Sequence, residues 1–293
     1  MAKVWMEGFI KAVIIYLMDG REMIDLHIHG IDGFDTRTRD AADIVRLATL
    51  AKDSGVSAIL PVIYPSPIEE MRQQMAAVRE AMDYRGAGES EILGVYLEGP
   101  FLSPLRGGAL EADAFLEPSV RALGRLLDGF EEVVRIITIA PELGGALKVM
   151  ENCAMRGIKV NMGHSDATFA QALEGKRAGA SGVTHLFNAM RPFHHREPGL
   201  AGLGLLDEDL YVEVIADGVH LSPEALRLIF NAKRAERIIV VSDRVKGPMY
   251  RGGVLQGSET GLPEAVGVLK NLGLPESGIA LAVSENPRRY LGG

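Results

Sequence analysis

Eight short apolar runs recur along the chain, and segments of helical period separate most of them. The runs lie at 23–29, 56–63, 92–97, 133–139, 158–162, 182–187, 211–216 and 237–242. Between them, "AADIVRLATLAKDSG" (41–55), "PIEEMRQQMAAVREAMDY" (67–84), "GALKVMENCAMRG" (145–157), "DATFAQALEGKRAGA" (166–180) and "SPEALRLIFNAKRAE" (222–236) carry apolar residues at three- and four-residue spacing. Such alternation implies parallel strands joined by right-handed crossovers. Eight units in roughly 250 residues is the size of a closed (β/α)8 barrel of the TIM type. A doubly wound open sheet is the alternative. Asp40, Ser66 and Ser222 are the expected N-caps, and Gly55, Gly157 and Gly179 stand where C-terminal caps belong.

Composition narrows the function. The 293 residues carry a net charge of −8 without a Lys/Arg block, which argues against a nucleic-acid partner. The single Cys153 excludes an internal disulfide and a cysteine-rich zinc site, and it fits a reducing cytoplasm. The N-terminal apolar stretch is broken by Lys11 and followed by Asp19, Arg21 and Glu22. It is too short to span a membrane, and no cleavage site follows it. The expected organisation is a short N-terminal β extension over 1–22 and a barrel over 23–293, in a cytoplasmic protein with no membrane partner.

All seven histidines, His27, His29, His164, His185, His194, His195 and His220, fall at or just after the end of an expected strand. Glu98 ends the third strand and Asp243 the eighth. In a barrel those ends share one rim, where active sites are built. His27 and His29, two apart on a strand, point to the same side. A lone histidine in a strand is usually a satisfied core residue, Glu98 before Gly99-Pro100 could cap a turn, and Asp243 could be a loop ion-pair partner. Converging on one rim, His27, His29, Glu98, His164, His185 and Asp243 form instead a ligand set for one or two divalent ions such as zinc, iron or manganese. Such an ion lowers the pKa of water and polarises a carbonyl, and a nearby carboxylate can shuttle the proton. Arg196, in the polar loop "HHREPGLAG" (194–202), is suited to grip an anion.

These residues resemble the amidohydrolase superfamily, and within it the N-acetylglucosamine-6-phosphate deacetylases. The resemblance rests on "IDLHIHG", "YLEGPFLSP", "GHSDAT", "THLFNAMRPFHHREPGLAG", "ADGVHLSPE" and "VVSD", in order from residue 24 to 243, with a weaker match at "GVLQGSETGLPEAV" (253–266). It implies that Glu98, His164 and His185 hold a principal ion, and that His27 and His29 bind a second. Asp243 would be the general base and then the acid, and His220 would contact the sugar and stabilise the developing oxyanion. The backbone of Asn188 and Ala189, with Arg196, would receive the phosphate, and Leu255, Gln256 and Gly257 would line the substrate. In the family that arginine reaches into a neighbouring subunit's site, which implies a homodimer.

The sequence also departs from the family pattern. The usual β-sandwich built from both chain ends has little sequence left to form it, and the stretch between Asp243 and "LQGS" is short. Leu110 stands where the family often has His or Gln. These departures leave open another N-acyl amino sugar or cyclic amide as substrate, or a degenerate barrel without activity.

Overall fold

The computed structural model describes residues 22–292 apart from 85, 87 and 252. The expected N-terminal extension, 1–22, lies outside the described residues except for Glu22. Eight parallel strands follow the chain order around a barrel: β1 (Met23–Ile28), β2 (Val56–Ile63), β3 (Val95–Leu97), β4 (Val134–Ile139), β5 (Lys159–Met162), β6 (Ala180–Val183), β7 (Tyr211–Ile215) and β8 (Ile238–Val241). The open-sheet alternative is excluded, because β1 and β8 also meet. Ile28 bridges Arg244 in parallel, the His29 N–H donates to the Arg244 carbonyl at 2.9 Å, and the Asp243 N–H donates to the His27 carbonyl at 2.9 Å. The buried Asp25 carboxylate adds a stitch by accepting the Ser242 N–H at 3.1 Å.

The helices are α1 (Ala41–Asp53), α2 (Ile68–Met82), α3 (Val120–Leu127), α4 (Ala146–Met155), α5 (Phe169–Arg177), α6 (Gly199–Leu206), α7 (Pro223–Ala232), α8 (Leu262–Asn271), α9 (Glu276–Ala280) and α10 (Asn286–Leu291). Asp40 and Ser222 cap α1 and α7 through their side chains as expected. Ser66 does not cap: α2 starts after Pro67 without a side-chain cap. Helix α5 starts at Phe169 rather than Asp166, because Thr168 and Gln171 close a reciprocal capping box there. Gly55, Gly157 and Gly179 all take positive φ just past their helices.

Two strands depart most from the expected runs. The third run is split: Glu91–Ile92 pairs with β2, the chain turns at Gly94 (φ 130°), and β3 resumes at Val95. A Cβ at Gly94 would lie 2.5 Å from the Val133 carbonyl, so only glycine permits that approach. The sixth run ends at Val183 because His185 (φ 27°) and Phe187 (φ 75°) adopt left-handed conformations that no ladder accommodates.

Two apolar clusters divide the core. One fills the space between strands and helices, and the other fills the barrel interior with Ile24, Leu26, Ala58, Leu60, Val62, Tyr96, Ile136, Ile215, Ile239, Val241 and Tyr290. Ile24 and Leu26 face inward, so strict alternation would turn His27 and His29 outward. The pairing of β1 with β2 corrects this. Asp25 pairs with Ile59 and Ile28 with Pro61, which places one extra residue in β1. That bulge reverses the facing of the residues beyond it, and both histidines enter the barrel mouth.

Candidate active site

Six ionisable side chains meet at the C-terminal rim, each almost fully buried: His27 (0% exposed), His29 (2%), Glu98 (3%), His164 (5%), His185 (4%) and Asp243 (6%). They form two triads, Glu98–His164–His185 and His27–His29–Asp243. In the first, Glu98 Oε1 lies 3.0 Å from His164 Nε2 and 3.1 Å from His185 Nε2, and the two nitrogens are 3.1 Å apart. In the second, Asp243 Oδ1 lies 3.5 Å from His27 Nε2 and 3.3 Å from His29 Nε2, and these nitrogens are 3.3 Å apart. Glu98 joins the triads, with Oε1 3.6 Å from His27 Nε2 and Oε2 3.4 Å from His29 Nε2.

Strained turns deliver these groups. His164 (φ 44°), His185 (φ 27°) and Asp243 (φ 50°) all occupy the left-handed region, as does Ala189 (φ 50°). Each such residue is held there against a cost of about 1–3 kcal/mol, a concentration typical of functional sites.

The donor set fits divalent ions. About 3.3 Å separates ligand atoms around a tetrahedral ion with bonds near 2.0–2.1 Å, close to the spacings in both triads. The imidazole orientations agree. His164 donates from Nδ1 to the Arg106 carbonyl at 3.0 Å, so its neutral form turns the Nε2 lone pair toward the Glu98 carboxylate. A lone pair facing a carboxylate repels it unless a proton or a cation lies between them. His27 likewise directs Nδ1 at Glu213 Oε2, 3.3 Å away, and leaves Nε2 for the cluster.

Electrostatics tie the six groups together. Burial works to raise the Glu98 carboxyl, but hydrogen bonds and charge from His164, with further bonds from His185 and His27, hold it well below the usual carboxylate range. Asp243 is lowered in the same manner: burial raises it, and His29 and His27 outweigh that. Burial opposes charge on His27 and His29, yet Glu213 and Glu98 raise the first, and Asp243 and Glu98 the second.

The cluster lies in a cavity of about 780 Å3. Of the expected substrate residues, His220, Asn188, Ala189, Leu255 and Gln256 line it, and so does Leu110. His220 donates from Nδ1 to Asp217 Oδ2 at 2.7 Å, which leaves Nε2 without a hydrogen-bond partner. The Asn188 main-chain N–H donates to the His185 carbonyl at 2.9 Å and its side-chain amide to the His185 and Leu186 carbonyls, so the main-chain N–H of Asn188 is already engaged, contrary to its expected part in phosphate binding. Gly257 is not in the cavity wall; it packs behind Asp243, where a Cβ would lie 2.4 Å from the Asp243 carbonyl. Arg196 is exposed, with Nη1 3.1 Å from His195 Nε2, and does not line the cavity of its own chain.

Sequence reasoning missed two features. Glu213 stands in the centre of β7 between two valines, and a carboxylate within a buried strand was the available signal. Tyr64 stacks on His29 at 4.0 Å, and the Arg37 guanidinium lies over the same ring at 4.4 Å; Tyr64 and Arg37 both lie in loops with no periodic pattern to mark them.

An eight-stranded parallel barrel carrying His and carboxylate triads at its C-terminal rim defines the class of barrel enzymes that work through bound divalent ions. No protein-family model matches the sequence. The chain is 34% identical over 224 residues to N-acetylgalactosamine-6-phosphate deacetylase of Escherichia coli O157:H7, covering 76% of this chain and 59% of that protein. It is 34% identical over 239 residues to N-acetylglucosamine-6-phosphate deacetylase of Bacillus subtilis, covering 80% and 60%. The chain thus spans about 60% of the length of these curated relatives. Among solved structures, N-acetyl-D-glucosamine-6-phosphate deacetylase from Mycobacterium smegmatis superposes with a TM-score of 0.84 at 31% identity, over 93% of this chain and 78% of that one. A variant of that enzyme, solved in complex with N-acetyl-D-glucosamine-6-phosphate, superposes equally well at 30% identity. The chain belongs to the N-acetylglucosamine-6-phosphate deacetylase family.

Proposed function

We propose that this protein hydrolyses the acetamide of N-acetylglucosamine 6-phosphate to acetate and glucosamine 6-phosphate. The observation that carries this reading is the meeting of Glu98, His164 and His185 with Asp243 and His220 in one cavity. Glu98, His164 and His185 would hold the principal ion, and His27 and His29, with Asp243, would hold a second. A bound zinc, iron or manganese ion supplies Lewis acidity toward the acetamide oxygen and a water of near-neutral pKa. Asp243 accepts the proton of the attacking water and returns it to the departing sugar nitrogen. His220, whose pKa Asp217 raises, would as an imidazolium donate from Nε2 to the oxyanion that develops on the acetamide oxygen.

Ala189, beside Asn188 at one wall, receives the phosphate, and Leu255 and Gln256 border the sugar. Arg196 lies outside its own cavity, which supports its acting across a homodimer on the partner's phosphate. Gly257 acts indirectly, by seating Asp243. Release of acetate from the sugar phosphate by zinc-loaded protein tests the proposal. Asp243→Asn should lower turnover about 1,000-fold, and full activity in that variant would overturn the mechanism.

A second reading, a different N-acyl amino sugar, is favoured by Leu110 in the cavity wall, which offers no hydrogen bond to a sugar hydroxyl. Comparing kcat/KM for the 6-phosphates of N-acetylglucosamine and N-acetylgalactosamine, and for their unphosphorylated forms, decides between them.

A further inference from the structure

Beneath the two triads a cluster of polar side chains interrupts the apolar barrel interior, at a level where such barrels usually pack branched apolar residues. Tyr96, Thr138, Asn161, Thr184 and Glu213, from strands and strand ends around the barrel, are all buried there, and Tyr290 of α10 closes the far end. Their hydrogen bonds converge on the Glu213 carboxylate. The Tyr290 hydroxyl donates to Asn161 Oδ1, and the Asn161 amide donates to Glu213 Oε1 at 2.8 Å and to the Tyr96 hydroxyl at 3.0 Å. The Tyr96 hydroxyl in turn lies 3.3 Å from Glu213 Oε2. A carboxylate only accepts, so the remaining contact, Glu213 Oε2 to His27 Nδ1 at 3.3 Å, takes its proton from the imidazole. His27 is thereby fixed with Nε2 as the free donor atom toward His29 and Asp243.

The other three imidazoles are supported differently. His164 Nδ1 meets a main-chain carbonyl, and His29 Nδ1 and His185 Nδ1 have no partner among the described residues. Only His27 is backed by a carboxylate, an arrangement that orients a ligand and strengthens it as a donor.

We infer that Glu213 is the positioning residue that sets occupancy of the His27–His29–Asp243 ion site, and that Asn161 and Tyr290 hold it in place from the opposite end of the barrel. The inference rests on the reading that this triad holds the second ion. It is separable from the proposed activity, because ion binding needs no substrate.

The test is zinc titration of chelator-stripped protein by calorimetry, with metal content measured after equilibrium dialysis. Wild-type protein takes up two ions of unequal affinity. Glu213→Gln keeps the shape of the side chain and weakens the second ion about 10–100-fold, while the first changes by less than about threefold. Tyr290→Phe shifts the second ion in the same direction by a smaller factor, about two- to fivefold, with the first unchanged. Equal loss at both sites, or an unchanged second site in folded Glu213→Gln protein, overturns the inference. So does uptake of a single ion by wild-type protein up to millimolar zinc. If Glu213→Gln loses its near-ultraviolet circular dichroism, the Tyr290→Phe titration decides. Protein that binds two ions in this manner but releases no acetate sustains the inference and refutes the activity.

Discussion

Asp217 grips His220 through a 2.7 Å hydrogen bond between Oδ2 and Nδ1, and both side chains are withdrawn from solvent. Burial works against charge on this imidazole, but Asp217 and Asp243 raise its pKa; His220 correspondingly lowers that of Asp217. Asp217→Asn leaves a hydrogen bond of similar length but removes the charge and allows the opposite tautomer. A fall in kcat of about 10–100-fold with little change in Tm is expected. Steady-state kinetics on N-acetylglucosamine 6-phosphate checks this; an unchanged kcat would remove His220 from the reaction.

Zinc binding should weaken as pH falls. His27 and His29 hold protons more firmly than a free imidazole, and a ligand must shed its proton to bind. Each proton released steepens the dependence by about one decade of affinity per pH unit. Competition titrations at pH 8, 7 and 6 measure the slope, and a flat profile would exclude the histidine triads as ligands. Chelation should also lower Tm, since an ion bound only by the folded state stabilises it.

Gly257→Ala probes the seat of Asp243. The added methyl would lie 2.4 Å from the Asp243 carbonyl and 2.6 Å from Val245 Cγ1, with main chain on one side and a short branched side chain on the other. The loop must shift, at a cost of about 1–3 kcal/mol. Activity should fall further than stability does, because the displaced group is Asp243. A variant with wild-type turnover would show that the loop adapts.

Lys233 gives a pH signature of stability. It is buried, its ammonium donates to the Asp207 carbonyl, and burial pushes its pKa down to about 8. Between about pH 8 and the unfolded value near 10.4 the unfolded chain binds more protons, so stability rises with pH in that window. Below pH 8 the penalty is fully present. Lys233→Met should therefore stabilise the protein at pH 7 by about 1–3 kcal/mol, a gain that fades as pH climbs toward 10. Urea denaturation at pH 7 and pH 10 reads both values; a less stable variant at pH 7 contradicts the reading.

The barrel was legible because each of its strands is an apolar run, and the ligands because they interrupt apolar runs at the ends where a barrel gathers them. Helix α6 was not, since seven of its eight residues are buried and a helix apolar on all sides shows no period. The inward turn of His27 and His29 was legible only in part. Their spacing put them on one face, but the face itself depends on the extra residue in β1, which arises from pairing and leaves no local mark. The reactivity of Cys153 was hidden for a similar reason, since it depends on packing: burial pushes the thiol up to about 12, which leaves it inert near neutrality.

The closure between β1 and β8 has a consequence for how the molecule holds its shape. Seven of the strand junctions are parallel ladders, while the eighth rests on the Ile28–Arg244 bridge, three main-chain bonds near the rim and the Asp25 stitch. His27 and His29 stand on one lip of that gap and Asp243 on the other. An ion shared by the three would act as a clasp on the least secured joint of the barrel, making the same coordination bonds serve as hardware for the hoop and as equipment for the reaction.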